Sequence, residues 1–291
     1  MKLSLKITLI ILVIGLTSMK SDKPSYQYFD LKNNKAKYKD IIKNAINADV
    51  VLFGELHNNP ISHWMELEIT KDLFAEKAGK IILGAEMFES DNQLMIDEYF
   101  SDKISKKSFE SEARLWNNYK TDYKPLFEFA HENGLKFIAT NIPRRYASLV
   151  HKKGFEGLLE LSDEARSYVA PLPIAYDPQL KGYKAMLEMM AGMGSDHTND
   201  NLPKAQAVKD ATMAHFILEN LTEGSTFIHY NGTYHSNDFE GISWYLKKAN
   251  PNLNILTIAS VEQDTISTLS EENRGLADYT LCVPSDMTKT Y

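Results

Sequence analysis

The sequence predicts an α/β fold: a largely parallel sheet with flanking helices and a helical lid insertion. Short apolar runs rich in β-branched residues alternate with helical patterns through most of the chain. Runs of this kind are typical of strands buried on both faces, as in parallel sheets. One stretch, at about 154–221, contains no strand pattern and interrupts the alternation. The alternation therefore predicts the sheet with its flanking helices, and the interruption predicts the insertion.

Six apolar runs predict the strands. They cover residues 49–54, 80–85, 135–140, 225–230, 253–259 and 279–283. The only cysteine, Cys282, lies in the last run, where we expect it to be a buried small apolar residue. A single cysteine excludes an intramolecular disulfide and a thiolate metal cluster.

Helical patterns lie between these runs. They cover 61–79, 125–133, 143–153 and, inside the insertion, 203–220. The third pattern has Pro143 in its first turn and Gly154 at its end. A proline at the start and a glycine just past the end are typical of helix boundaries. In the insertion, the pattern of helix, loop and helix could form a lid or a pocket wall over one end of the sheet.

Residues 1–21 predict a secretory signal peptide. Two lysines precede an apolar run over residues 7–16, and small and polar residues follow it. The run is shorter than the roughly 20 apolar residues that span a bilayer. An uncleaved membrane anchor stays open as an alternative, since no Ala-x-Ala-like cleavage site is present. A lipid anchor is not supported, because no cysteine follows the run. We expect an exported protein of the periplasm or cell envelope.

Residues 22–291 are predicted to form a single domain, because they contain no Ser/Gly/Pro-rich linker, repeat or low-complexity stretch. The formal net charge of the chain is −7. Removal of the signal peptide would take away three lysines and make the protein more acidic. Nucleic-acid binding requires a basic surface, so that class of function is excluded.

Two Gly-x-x-His turns follow predicted strands, at residues 54–57 and 232–235. In each, the glycine permits an unusual turn and the histidine comes directly after the carboxyl end of a strand. Polar residues also follow other strands: Glu86 follows the second, and Asn141 and Arg144 follow the third. Ligands of parallel sheets bind at this edge, so convergence of these residues predicts a functional site.

Imidazole and carboxylate groups bind metal ions and also transfer protons. The candidate ligands of a divalent metal ion are Glu55, His57, Glu86 and His235. Arg144 begins a helix, where it could bind an anion or simply be solvated. Of the other histidines, His63 is the best additional candidate for the site, because it lies close after the first turn.

The segments GELHNN, GAEMF, ATNIPRR, AQAVKDATMA and NGTYHS, in this order, resemble the ChaN family of haem-binding uptake proteins. That family is similar to the wider superfamily of Tiki proteins, TraB proteins and erythromycin esterases. The resemblance runs from about residue 49 to residue 235. The chain departs from the family in one respect, because many members are lipoproteins and this sequence has no lipidation cysteine.

The resemblance implies an exported haem-binding protein connected with iron acquisition, with a pocket near the lid that is often shared in a homodimer. Its implied partners are haem and envelope haem-uptake components. Haem binding requires an apolar slot, an axial ligand and cations for the propionates. Residues 176–197 offer these groups: Tyr176, Lys181, Tyr183, Lys184, Met186, Leu187, Met189, Met190, Met193 and His197.

Within this implied site, Tyr176 and Tyr183 are the candidate axial ligands, and His197 and Arg144 are further haem contacts. Asp210 could orient a ligand histidine, or it could be a solvated aspartate. The methionines could equally be ordinary core residues of an amphipathic helix.

Two functions compete, because a third, that of a structural or partner-binding protein, is weakened by the polar residues that converge at the strand ends. A haem-binding protein is favoured, and the alternative is a metal-dependent hydrolase that uses the histidines and glutamates at the strand ends. The same side chains serve both functions, so the residues alone do not distinguish between them. Only the family resemblance favours a binding protein over an enzyme. The sequence contains no Gly-x-Ser-x-Gly elbow, P-loop or dinucleotide fingerprint, which weakens those enzyme classes.

Overall fold

The computed structural model describes residues 23–192 and 201–291, so the predicted signal peptide, residues 1–21, lies outside the described part. Its centre is an eight-stranded sheet. The strands are β1 (Gln27–Asp30), β2 (Lys35–Ala36), β3 (Val50–Glu55), β4 (Ile81–Glu89), β5 (Lys136–Asn141), β6 (Thr226–Gly232), β7 (Ile255–Gln263) and β8 (Tyr279–Pro284). Their order across the sheet is β2-β1-β8-β7-β3-β6-β4-β5.

Strands β8, β7, β3, β6, β4 and β5 are parallel to one another. They correspond to the six predicted runs, which confirms the α/β class and the largely parallel sheet. At one edge, β1 pairs antiparallel with β8, and β2 pairs antiparallel with β1. These two strands were not predicted from the sequence, because they are short and only partly buried.

Helices cover the sheet. They are α1 (Tyr38–Ala45), α2 (Pro60–Glu76), α3 (Gln93–Phe100), α4 (Lys106–Glu112), α5 (Lys124–Glu132), α6 (Arg144–Lys153), α7 (Asp163–Arg166), α8 (Lys181–Gly192), α9 (Asn201–Asn220) and α10 (Ile242–Ala249). The start of α2 is fixed locally, because the Asn59 side chain accepts hydrogen bonds from the backbone N–H groups of Ile61 and Ser62. Pro143 is the N-cap of α6, one position before the first turn in which it was predicted.

Both faces of the central strand β3 are buried, which explains its continuous apolar run. Val51 and Phe53 belong to a core that α1, α2 and α5 complete. Val50 and Leu52 face the opposite side, in a core completed by α6, α9 and α10. Alternate side chains of one strand thus join two different cores. Burial of a side chain the size of Phe53 stabilises the fold by about 1.5–3 kcal/mol.

The described part of the predicted insertion contains helices and loops and no strand. Helix α9 packs against β5, α6 and α10 and therefore completes one helical layer of the sheet. Helix α8 borders an open pocket at the carboxyl edge of the sheet. Residues 193–200, which include Met193 and His197, lie outside the described residues. Within residues 23–192 and 201–291, no helix combines the length and apolar character that a membrane span requires.

Candidate functional site

The two Gly-x-x-His turns meet because β3 and β6 are neighbours in the sheet. The Cα atoms of Glu55 and Gly232 are register partners at the carboxyl ends of these strands. Strand β4 lies on the other side of β6 and carries Glu86 at an irregularity between Ala85 and Glu89. The structure therefore brings Glu55, Glu86 and the two turns together at one edge of the sheet.

His57 lies over the end of β6. Its Nδ1 is 2.7 Å from Glu55 Oε1, and its ring meets Trp116 edge-on at 4.8 Å between centroids. A Cβ at position 232 would lie 2.7 Å from His57 Nε2, so the imidazole occupies space that only glycine leaves open. The His57 side chain is 38% exposed, which makes it the more accessible of the two turn histidines.

Glu55 is a buried carboxylate with several partners. The Tyr123 hydroxyl donates a hydrogen bond to Oε1, the same oxygen that His57 contacts. Burial alone would raise the pKa of Glu55, but the imidazoles of His63 and His57 lower it to about 2. The carboxyl group is therefore ionised, and it orients His57.

His235, in the second turn, is enclosed between two carboxylates. Its Nδ1 contacts Asp210 Oδ1, and its Nε2 lies 3.1 Å from Glu86 Oε1. Burial alone would lower the pKa of His235, but Glu86 and Asp210 raise it to about 10. An imidazolium with both N–H groups donated is the form that fits these contacts.

Glu86 and Asp210 each have a further donor. The backbone N–H of Gly232 donates to Glu86 Oε2 at 2.8 Å, and the Tyr183 hydroxyl donates to Asp210 Oδ2 at 2.6 Å. Burial alone would raise the pKa of Glu86, whereas His235, His57 and the Gly232 N–H hold it well below its usual range. Asp210 is buried, and its carboxylate contacts His235. Of the two alternatives from the sequence, the structure therefore has the aspartate that orients a histidine and not the solvated one.

The four candidate metal ligands thus form two pairs, Glu55 with His57 and Glu86 with His235. Within the described residues, the compact group of potential ligand atoms is a different one, made by Glu55, His63 and Glu66. His63 Nδ1 lies 3.9 Å from Glu55 Oε2 and 2.9 Å from Glu66 Oε2. His63, the additional candidate, is therefore next to Glu55.

Three of the five candidate haem contacts, Tyr176, Tyr183 and Asp210, lie next to one another, and Tyr183 lines the pocket described below. Tyr183 is 3% exposed, with its hydroxyl donated to Asp210, and Tyr176 packs between Phe155 and Tyr183. Arg144 is exposed at the start of α6 and makes no hydrogen bond or ion pair with the described residues. His197 lies outside the described residues.

An open pocket of about 720 Å³ lies between α8, the second turn and β7. We call it the methionine pocket. Its apolar wall is formed by Leu56, Met186, Met189, Val261 and Leu276, and Tyr234 stands at its mouth. Tyr234 is 81% exposed.

Two tyrosines of this region were not among the candidates from the sequence. Tyr234 lies inside the second Gly-x-x-His turn, so its position in that motif was a signal that could have identified it. Tyr123 ends a π-helical turn, Tyr119–Tyr123, and no periodic pattern marks such a turn in a sequence.

A family model described as "Haem-binding uptake, Tiki superfamily, ChaN" matches residues 41–246. A curated relative, Protein RETICULATA-RELATED 5, chloroplastic, of Arabidopsis thaliana, is 23% identical over 201 residues, which are 64% of this chain and 26% of that protein. The match thus spans about a quarter of the relative's length.

Similar solved structures include ChaN of Campylobacter jejuni with cofacial haem binding. It has a TM-score of 0.68 and 17% identity, and the match covers 90% of this chain and 98% of that chain. A mutant of the erythromycin esterase EreC in its open conformation has a TM-score of 0.45 and 11% identity, with 82% of this chain and 77% of that chain covered. The first of these likenesses shows a shared fold.

Proposed function

Because the chain belongs to the ChaN family of haem-binding uptake proteins in the Tiki superfamily, we propose that it binds haem in the methionine pocket. The observation that carries this proposal is a single cavity that combines an apolar wall with an exposed tyrosine. Its volume of about 720 Å³ lies in the usual range for cofactor sites.

The wall of the pocket suits a flat apolar ligand. Met186 and Met189 come from one side of α8, and Leu56 and Val261 come from strands of the sheet or the turns after them. Methionine side chains adapt to the shape of a bound ligand because they are unbranched and polarisable. The predicted methionine-rich helix therefore supports the proposal through these two side chains.

The rim charges are compatible with the haem propionates. Among the described residues that line the pocket, Lys181 carries a positive charge, and its Nζ lies 2.5 Å from Asp238 Oδ1. Two further rim carboxylates already have donors: Glu240 accepts from the backbone N–H groups of Lys181 and Gly182, and Glu262 is paired with Lys289. Two of the four rim carboxylates, Asp238 and Glu262, are thus neutralised by lysines, which limits their repulsion of a propionate.

We place Tyr234 ahead of Tyr176 and Tyr183 as the axial ligand. Its hydroxyl makes no hydrogen bond with the described residues, and its ring stands at the pocket mouth. Tyr183 has its hydroxyl committed to Asp210, where it acts as a positioning residue for His235. Bound haem would supply an iron centre whose axial ligation this chain controls.

We further propose that the protein is exported to the cell envelope and takes part in haem or iron acquisition, with envelope uptake components as partners. The signal-like residues 1–21 and the uptake role named for the family support this. Expression of the full chain followed by cell fractionation tests it. Recovery with the envelope or periplasm is expected, and recovery in the cytosol would contradict export.

A homodimer is proposed on the same face. Met189 is 54% exposed beside Tyr234, so the mouth of the pocket offers an apolar surface that a second copy could cover. The Campylobacter jejuni protein binds haem cofacially, which supports a site shared between two copies. Light scattering with and without haem tests this proposal, and a monomer in both states would contradict it.

The hydrolase alternative is not favoured, because the matching family model is described by haem-binding uptake. The structural likeness to the erythromycin esterase is too weak to carry an argument for esterase chemistry.

The decisive experiment is a haem titration of residues 22–291, followed by the Soret absorbance. We expect a saturable shift at about one haem per chain, because the pocket has room for one such ligand. Met186→Glu should weaken binding about tenfold or more, since it places a charge against the haem face. Leu94→Glu is the matched control, because Leu94 is 67% exposed and lies outside the pocket. A Soret spectrum identical to that of free haem contradicts the proposal.

A further inference from the structure

A second group of polar side chains lies between the end of β3 and helix α2. It consists of Glu55, His63 and Glu66, all of which are buried. We call it the His63 cluster. One ligand atom from each residue lies within 4.8 Å of the other two. None of the three side chains lines the methionine pocket, so the cluster is separate from the proposed haem site.

The backbone sets the orientation of His63. Its Nε2 lies 3.1 Å from the carbonyl oxygen of His57 and donates its hydrogen to it. The opposite ring nitrogen, Nδ1, consequently faces Glu66 Oε2 at 2.9 Å and Glu55 Oε2 at 3.9 Å. A histidine that donates one N–H to a backbone carbonyl and turns its other nitrogen to carboxylates has the usual arrangement of a metal-binding imidazole.

Two carboxylate oxygens of the cluster have no hydrogen-bond partner although they are buried. They are Glu55 Oε2 and Glu66 Oε1. The other oxygen of Glu55 receives Tyr123 and His57, so the hydrogen-bond donors around Glu55 are on the far side of the carboxylate. A buried carboxylate oxygen without a donor is costly, and native proteins normally satisfy it.

We propose that the His63 cluster binds one divalent transition-metal ion, such as Mn²⁺ or Zn²⁺, through Glu55, His63 and Glu66. Bonds from such an ion to oxygen and nitrogen are about 2.1 Å, so two ligand atoms of one ion lie at most about 4.2 Å apart. The separations of 2.9 Å and 3.9 Å from His63 Nδ1 satisfy this limit, and the third separation, between the carboxylate oxygens of Glu55 and Glu66, is within 4.8 Å. Two carboxylates and one imidazole are a ligand set that these ions accept.

The ion has a structural consequence for the first Gly-x-x-His turn. Glu55 belongs to the turn, whereas His63 and Glu66 belong to α2. A shared ion would tie the turn to the helix and hold the carbonyl group of His57 through His63. The competing state of the same geometry is metal-free, with Glu66 protonated beside the ionised Glu55, because burial and the charge of Glu55 raise the pKa of Glu66.

The test begins with cells grown in Mn²⁺-supplemented or Zn²⁺-supplemented medium and protein purified without chelators. Elemental analysis after gel filtration should find about one ion per chain, and Glu66→Gln should lower this content tenfold or more. Glu68→Gln is the matched control, because Glu68 lies on the same helix but pairs with Lys71 at the surface. Metal at background level in the wild type, or equal content in Glu66→Gln and the wild type, overturns the proposal.

A second measurement needs no variant. Pulsed electron paramagnetic resonance of the Mn²⁺-loaded wild type should show coupling to one imidazole nitrogen, that of His63. Bound Mn²⁺ without this coupling overturns the assignment. If the metal is absent and infrared spectra show a buried protonated carboxyl that Glu66→Gln removes, protonated Glu66 is the resident state and the proposal is wrong. Haem titration of Glu66→Gln should match the wild type, which separates this proposal from that of haem binding.

Discussion

Gly232 leaves the space that the imidazole of His57 fills: a Cβ at position 232 would lie 2.7 Å from His57 Nε2. The glycine of the second Gly-x-x-His turn is thus required by the histidine of the first. The backbone of Gly232 has a φ of −53°, which any residue adopts, so the requirement concerns space and not backbone conformation. The two turns form one unit that joins β3 and β6.

Gly232→Ala should therefore displace His57 from Glu55. Forcing a methyl group into a packed core costs about 1–3 kcal/mol, and the lower end of that range is expected here because the half-exposed His57 ring can shift. Thermal melts should show the loss of stability, and nuclear magnetic resonance should show a moved His57 ring signal. Gly182→Ala is the control, since its nearest neighbour would be 3.9 Å away. An unchanged His57 signal in Gly232→Ala would show that the contact is not tight.

The two turn histidines should differ in their contribution to stability. His235→Ala leaves Glu86 and Asp210 buried without their shared cation, and breaking a buried pair in this way costs about 3–5 kcal/mol. His57→Ala removes a half-exposed partner of Glu55 and should cost about 1 kcal/mol. Urea unfolding of both variants measures the difference. Equal losses would contradict the enclosed position of His235.

The sheet edge that carries these histidines could be predicted because its physical signals are local. Short apolar runs mark parallel strands, and polar residues directly after them must lie at the carboxyl edge. That rule predicts that Glu55, Glu86 and His235 lie at this edge. The separation into two ion pairs depends on side-chain directions across β3, β6 and β4, and those directions have no signature in the sequence.

Glu66 could not be identified as a site residue from the sequence, for a different reason. It lies on α2, a helix with buried residues around much of its circumference, so no polar stripe distinguishes an inward glutamate from a solvated one. Asp210 was ambiguous for the same reason on α9, and only its contact with His235 resolves the ambiguity. Tyr183 was identified as a site residue, but the partner of its hydroxyl depends on packing between α8 and α9.

Stability should fall in mild acid because of His229. This residue is fully buried in β6, where its ring nitrogens contact Thr140 and Asn231. Burial lowers the pKa of His229 to about 4, whereas an unfolded histidine titrates near 6.5. The unfolded state therefore binds the proton first as the pH falls. The stabilising effect is present above pH ~6.5 and is lost as the pH falls towards 4.

His229→Gln should flatten this part of the pH profile. Urea unfolding at several pH values between 7 and 4.5 measures the slope for both proteins, and the difference isolates the histidine from the carboxylates that titrate in the same range. His151→Gln, at an exposed position on α6, is the control. A wild-type slope that persists in His229→Gln would assign the acid sensitivity to other groups.

The axial ligand of the proposed haem site can be identified by tyrosine variants. Tyr234→Phe should abolish the ferric tyrosinate spectrum and weaken haem binding at least tenfold, equivalent to about 1.4 kcal/mol, because the exposed hydroxyl at the pocket mouth is lost. Tyr183→Phe should keep that spectrum and instead lower thermal stability by about 1 kcal/mol, because Asp210 loses a buried donor.

Tyr291→Phe serves as the control, since Tyr291 is also exposed but lies outside the methionine pocket. Ferric spectra and haem titrations of the three variants distinguish the two roles. If Tyr183→Phe loses the tyrosinate spectrum and Tyr234→Phe retains it, α8 must move on haem binding to release the Tyr183 hydroxyl from Asp210. Asp210, which contacts His235, would then lose a hydrogen-bond donor when haem binds. The nuclear magnetic resonance signals of the His235 ring should therefore change on haem binding in the wild type but not in Tyr183→Phe.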